Sequence, residues 1–496
     1  MSRGVRAYAF SSIPAWSARL DGFGGDKAAV VCAVVGAAAA AVFVCAHWSV
    51  ALVGAIIVVT LSAMENEPLL LLVIFLLPLR LLLQWNVPVR EVFLALRALV
   101  IIGFFLGRLL RGQLGLRGLL RPTLTRASLL FLCAATASAL LGNGGLTEES
   151  ARALWILFTC VGFYFVILSW ADSPRRIGRI LHVLLFSTII TAGFGLFQEV
   201  IGDYTSFWLF LNPPGDFFEP MGYRTPSFFA SPNYFSSYLN LVLPFSLACW
   251  VLGEGRWKRL GAWTTGLGAV ALLCTQSLGG IIGFGGIAVL AILCFSRNWK
   301  KQLSLLGGFC ALGIMFYFAR SILNPAHQGA DFGYDAATRL VLWGIAWNFF
   351  THSPVFGVGW GNFEALYGSY VAGIPWIPVG LFSAHNIFLQ LLSETGLIGF
   401  GAFFLLIFRA VRQALRQLRG SADTMERALA FGVLGAILGM LLHGLVDYFL
   451  ASPQFGTLFW VLLALLASSK ATCKARSSRQ EGVEVGRLLP AQGQNA

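Results

Sequence analysis

Six histidines occur in the 496-residue chain. One of them, His385, lies at the exit of a long extramembrane loop in Ser383-Ala384-His385-Asn386, with nine residues between Asn386 and Gly396-Leu397-Ile398-Gly399. A rim imidazole of this kind can take a proton from a hydroxyl. Ser383 is a candidate cap, which would put His385 in the first turn of a helix, where the helix-end partial charge favours a neutral ring. The same helix end could attract a phosphate. The loops of the same side carry Arg224, Arg320 and Arg339. A guanidinium offers paired donors to a planar anion, and Arg224 and Arg339 are the candidates for that role, with Arg320 read as a snorkelling surface residue. Asn386, Gln390 and Glu394 follow at a spacing of four, one stripe of the His385 helix, with Glu394 expected roughly 13 Å below the rim. A carboxylate at that depth faces a bundle interior. Asp447 and Tyr448, at the outer end of the next apolar run, are candidates for the same cavity. For His47, His182, His327, His352 and His443 packing is the simpler reading, His352 being the first exception because it shares the long loop.

The elements that must position these groups are membrane helices. Hydrophobic residues make up 57% of the chain and charged residues 11%, against about 25% charged in an ordinary soluble domain. Apolar runs near the bilayer-crossing length of about 20 residues recur along the chain, which predicts an all-α, polytopic membrane protein. The runs are 28–46, 48–64, 68–84, 92–110, 126–142, 151–170, 178–201, 233–252, 259–276, 279–296, 301–319, 385–409, 427–449 and 453–468. That is fourteen spans, or twelve if the first pair and the Arg80-bearing run are read differently. Basic clusters at Arg108–Arg126, Arg175–Arg179, Arg256–Arg259, Arg297–Lys301, Arg409–Arg427 and Lys470–Arg479 are cytoplasmic by the positive-inside rule, and both termini are then inside. The organisation is a cytoplasmic segment 1–26, helices 27–201, an outer loop 202–232, helices 233–319, a large outer loop 320–384, helices 385–468 and a cytoplasmic tail 469–496. The N-terminal stretch lacks the pattern of a cleavable signal peptide, so the first span is expected to be retained.

The net charge of +13 lies in short inner loops with little aromatic interleaving, which fits topology and anionic lipid headgroups rather than nucleic acid. Eight of nine cysteines fall within the spans and no CxxC occurs, so neither a disulfide nor a metal site is expected, and no cofactor is implied. The large outer loop is too long for a simple connection. Its segment from Thr338 to Phe350 reads as an amphipathic helix, ended by His352-Ser353-Pro354 and a glycine-punctuated turn from Gly357 to Phe363. Most of the 42 phenylalanines and 15 tryptophans suit core and interfacial belt, but Trp343, Trp347, Trp360 and Trp376 lie on this loop, and Trp343 and Trp360 are candidates for stacking on sugar or lipid.

Taken in order, Arg339 and Trp343, His352-Ser353-Pro354 with Gly357 and Gly359, and His385-Asn386 with Gly396 and Gly399 resemble the O-antigen ligase and polymerase superfamily of bacterial envelope glycosyltransferases. The segment Arg224-Thr225-Pro226 to Pro232-Asn233-Tyr234 is similar to that family's preceding outer loop, and the resemblance covers roughly 190–465. It implies transfer of a polyprenyl-diphosphate-linked glycan to a lipid or glycan acceptor hydroxyl at the outer side of the bacterial inner membrane, without metal or nucleotide sugar. His385 would then be the general base, Arg224 and Arg339 the diphosphate ligands, and Asn386, Glu394 and Asp447 supporting groups. The chain departs from the family at Thr275-Gln276-Ser277-Leu278-Gly279-Gly280, where an arginine is common and none stands here. A ligase and a polymerase differ only in acceptor, and both readings stay open. A transporter of lipid-linked oligosaccharide is the alternative from another class, but it would show paired repeats or broken charged helices near the midplane.

Overall fold

The computed structural model describes residues 48–79, 89–113, 115–202, 224–229, 231–296, 330–371 and 383–469, with isolated positions between 298 and 308. The described regular elements are all helices, and the chain is a polytopic membrane protein. In chain order they are α1 (Trp48–Ala63), α2 (Glu67–Leu76), α3 (Val89–Leu110), α4 (Thr123–Leu141), α5 (Glu148–Trp170), α6 (Pro174–Ile201), α7 (Pro232–Leu252), α8 (Gly255–Cys274) and α9 (Leu278–Phe295). There follow α10 (Ala330–His352), α11 (Phe363–Val371), α12 (Ile387–Gly420), α13 (Thr424–His443) and α14 (Pro453–Ser469), and a short helical segment, Leu116–Leu120, lies between α3 and α4. Among the described residues seven helices, α4 to α7, α9, α12 and α13, are long and apolar enough to cross a bilayer, and α1 with α2 forms a pair bent by 118°. The predicted runs 28–46 and, apart from a few positions, 301–319 lie outside the described residues, as do Arg320 and Trp376.

Helix starts follow the local chemistry of the sequence. Thr147, Ser173, Ser231, Ser277 and Asp423 each accept a first-turn backbone N–H through the side chain, and prolines at 174 and 232 take positions where no donor is needed. Contacts at the ends show which loops share an end of the bundle. Glu65, in the bend between α1 and α2, pairs with Arg108 at 2.9 Å and Arg111 at 2.9 Å, and Glu67 pairs with Arg179. These are members of the basic clusters that the positive-inside rule puts in the cytoplasm. At the opposite end the turn after α4 meets the long loop, where Gly144 N–H donates to Val358 O at 2.9 Å, and Thr225 N–H donates to Cys274 O at 3.2 Å.

Between the ends, helices touch through small residues and satisfied hydroxyls, as expected where lipid removes most of the hydrophobic drive between helices. A Cβ on Gly432 of α13 would meet the Phe245 ring of α7 at 2.2 Å, so these two helices approach as closely as only glycine permits. Thr125 and Tyr164 meet at 2.8 Å, and Thr188 and Tyr238 at 2.7 Å, linking α4 to α5 and α6 to α7.

The predicted single span 385–409 is the main revision. Helix α12 breaks at Gly396, whose φ of 58° and ψ of −164° are not helical. The break is filled by the long loop: Val358 and Gly359 N–H donate to Ser393 O and Glu394 O, while Leu397 and Ile398 N–H donate to Pro354 O and Val355 O. Backbone groups orphaned by the interruption are thereby paired. A Cβ on Gly396 would lie 2.3 Å from Val355 O, so the position needs glycine for conformation and for space. The stretch before the break touches α13 at its start, through Ile387 N–H on Gly444 O, and α4 at its end, through Glu394 O accepting from Ser138 Oγ at 2.7 Å. Gly444 and Ser138 lie at the same ends of their helices. The stretch therefore runs across the bundle's outer end, and Glu394 sits near that rim instead of roughly 13 Å below it.

Candidate active site

The cap of α12 is Asn386, whose Oδ1 accepts the N–H groups of Phe388 and Leu389 at 3.0 Å each, while Nδ2 donates to Leu445 O at 2.9 Å. Ser383 instead accepts the His385 N–H at 3.3 Å. His385 thus precedes the helix and is not in its first turn. Its φ is 47°, a region that a residue with a Cβ occupies at a cost, and such strain clusters at functional sites. Two other non-glycine residues of positive φ, Ser227 and Gln276, lie in turns at the same end of the bundle.

The imidazole reaches the segment joining α13 to α14. His385 Nδ1 lies 3.0 Å from Asp447 Oδ1, with the histidine side chain 28% exposed and the aspartate 6%. The same oxygen accepts the Tyr448 N–H at 2.8 Å. Burial works to raise the Asp447 carboxyl. The hydrogen bond and charge of His385, the facing charge of His443 and the Tyr448 N–H outweigh it and hold the carboxyl below its usual value. An ionised Asp447 can only accept, so Nδ1 carries the proton, and in the neutral form of the ring Nε2 is the acceptor. The pair has the orientation of a general base set by a carboxylate.

Arg339 grips the residue beside Asp447, donating from Nε to Val446 O at 3.2 Å. Arg224 docks on the α8–α9 turn, with Nε on Thr275 O at 3.1 Å and Nη2 on Asn233 Oδ1 at 2.7 Å. From Asn233 the contacts run inward to His443. Its carbonyl accepts from Ser237 Oγ at 2.7 Å, and Ser237 meets His443 Nδ1 at 3.2 Å. Because the single hydroxyl proton of Ser237 goes to Asn233, His443 Nδ1 is the donor in that contact. The His443 ring lies against Phe449 at 4.6 Å and over Gly279, where a Cβ would come within 2.4 Å. His385, Asp447 and Arg339 are thus drawn onto one segment, and Arg224 is linked through Asn233 and Ser237 to His443.

Glu394 joins the long loop to the first stretch of α12. It is 4% exposed, and its Oε1 accepts the Phe363 N–H at 3.2 Å at the start of α11. The loop has a small core of its own, built from Leu342, Ala346, Phe349, Val358, Phe363 and Tyr367. Asn362 fastens the glycine turn to the α4–α5 connection, donating to Gly145 O at 2.7 Å and accepting from Thr147 Oγ1 at 2.6 Å. Trp343 is half-buried on α10. Trp360 is not a surface for stacking: it is 3% exposed and packs edge-on to Phe131, because the interlocked turn drives it into the bundle. His443 and Ser237 carried little signal in the sequence, since each lies in an apolar run. The one hint was a histidine four residues before an aspartate at the end of such a run.

Residues 263–404 match the O-antigen ligase family. This match and the motifs of the sequence point to the same O-antigen ligase-like superfamily. Over 231 residues it is also 28% identical to the exopolysaccharide production protein ExoQ of Rhizobium meliloti (strain 1021), a match covering 42% of this chain and 51% of the relative. The chain thus spans about half the length of the curated relative it matches. The O-antigen ligase segment contains Arg339, His385 and Glu394, whereas Arg224, His443 and Asp447 lie outside it. The His385–Asp447 pair therefore joins a residue of the matched segment to one some forty positions beyond its end.

Proposed function

We propose that this chain is a glycosyltransferase of bacterial surface polysaccharide biosynthesis, which moves a glycan from polyprenyl diphosphate to an acceptor hydroxyl at the outer side of the inner membrane. The observation that carries the reading is the 3.0 Å contact between His385 Nδ1 and Asp447, on a segment that Arg339 also grips. His385 Nε2 takes the acceptor's hydroxyl proton as that oxygen attacks the anomeric carbon. The bond from that carbon to the diphosphate oxygen breaks, and polyprenyl diphosphate departs with the electron pair. Arg224 and Arg339 stabilise the charge developing on it. Asp447 holds the tautomer and stabilises the imidazolium as it forms. The reaction uses these side chains without a metal or cofactor, and Trp343 is the remaining candidate for contact with sugar or lipid.

The acceptor in the principal reading is a terminal one such as a lipid A core. A second reading, an exopolysaccharide or O-antigen polymerase extending lipid-linked repeats, is favoured by the likeness to a protein of exopolysaccharide production. Deleting the gene and resolving surface glycans on a gel separates the two. Lipid-linked chains that accumulate without reaching the core indicate a ligase, and single repeats on the core indicate a polymerase. Unchanged surface glycans and exopolysaccharide would refute both.

A further inference from the structure

Arg97 lies in the outer half of α3, eight residues after its start, and is fully buried. A guanidinium at such depth is expensive and marks a functional constraint. Its burial inside protein excludes snorkelling to the headgroups, and its distance from the inner end leaves it outside the clusters that set topology. What it holds is the beginning of α14. Nη1 donates to Pro453 O at 3.1 Å and to Thr457 Oγ1, and lies 3.1 Å from Cys160 Sγ, while Nη2 donates to Thr159 Oγ1 at 3.0 Å.

This anchor has a counterpart above it. Residues 444–452, between α13 and α14, carry Asp447. The upper end of the segment is held by Ile387 N–H on Gly444 O, Asn386 Nδ2 on Leu445 O and Arg339 Nε on Val446 O. Its lower end turns tightly into α14, with Ser452 N–H on Phe449 O at 2.9 Å and Gly456 N–H on Ser452 O at 2.9 Å, and meets Arg97 at Pro453. Pro453, the first residue of α14, meets Arg97, so this helix of about 26 Å rise starts at the level of Arg97 and the segment descends within the bundle to reach it. Non-helical backbone at such depth persists only where protein groups satisfy it.

We infer that Arg97 is a positioning residue for the reaction: by anchoring the lower end of the 444–453 segment it keeps Asp447 in register with His385. This rests on the reading of His385 and Asp447 as the base and its orienting carboxylate. The test is steady-state kinetics of the full chain in proteoliposomes, with lipid-linked glycan extracted from the deletion strain as donor and membrane lipid of the same strain as acceptor. Arg97→Gln is expected to lower kcat about tenfold or more, as a displacement of about 1 Å does, with KM for the donor within about twofold. Arg97→Lys, which keeps a donor for Pro453 O, recovers part of that loss. Because Arg97 acts through Asp447, the Arg97→Gln/Asp447→Asn double variant is expected to be no slower than Asp447→Asn alone. If Arg97→Gln fails to reach the membrane, Thr457→Val removes one partner of the guanidinium and should give the same pattern at smaller size. Losses that multiply in the double variant, or a wild-type kcat in Arg97→Gln, would overturn the inference. A wild-type kcat in Asp447→Asn would instead bring down the base–carboxylate reading beneath it.

Discussion

At the scale of single residues, the proposed chemistry rests on an imidazole whose two nitrogens have different duties. Nδ1 is committed to Asp447 at 3.0 Å, and Nε2 is the atom left to take a proton. Asp447→Asn preserves shape but reverses or removes the acceptor for Nδ1–H, so kcat is expected to fall by about 10²–10⁴-fold with little change in donor KM, read by initial rates in proteoliposomes. A loss confined to KM would argue that Asp447 binds substrate rather than orienting the base. His385 was legible in the sequence because a titratable residue at a loop exit is rare in so apolar a chain. Its pairing was not, since 62 positions separate it from Asp447 and no local periodicity connects them. Trp360 was misread for a related reason: an aromatic residue in a glycine-rich loop gives no sign of which way an interlocked turn will point it.

At the scale of elements, the decisive feature is the interruption of α12. A continuous helix from Ile387 would have carried Asn386, Gln390 and Glu394 down into the bundle; the break lets that stretch lie across the outer end, where it spans from α13 to α4. Composition could not reveal this, because the residues on both sides of Gly396 are as apolar as a single span and the groups that satisfy the break come from residues 354–359. Gly396→Ala is expected to cost about 1–3 kcal/mol of stability, since it adds left-handed strain to a clash with Val355 O. Gly401→Ala, where a Cβ meets nothing within 4 Å, serves as the control and should change stability by no more than about 1 kcal/mol. Thermal unfolding of the purified variants in detergent checks the difference, and equal midpoints would mean that the break is not required.

At the scale of the whole molecule, the charges and the site lie at opposite ends. The sequence allowed helix type and most helix positions among the described residues to be read, because hydropathy is summed over many residues and needs no knowledge of contacts; of the fourteen spans expected, seven described helices, or eight counting the bent α1–α2 pair, are long and apolar enough to cross a bilayer. Ion pairs of Glu65 and Glu67 with Arg108, Arg111 and Arg179 then tie two of the basic clusters into one end. If that end is cytoplasmic, Thr351→Cys should react with a membrane-impermeant thiol reagent in spheroplasts of intact inner membrane, and Arg419→Cys only after permeabilisation. The reverse labelling would invert the topology and place the imidazole on the wrong side for an outward reaction. The most direct measurement of the central claim is the release of polyprenyl diphosphate by purified protein in proteoliposomes, supplied with lipid-linked glycan and acceptor from the deletion strain. The expected result is acceptor-dependent release by the wild type and its loss in His385→Ala protein of equal membrane content; release by His385→Ala at the wild-type rate would contradict the assignment of His385 as the base.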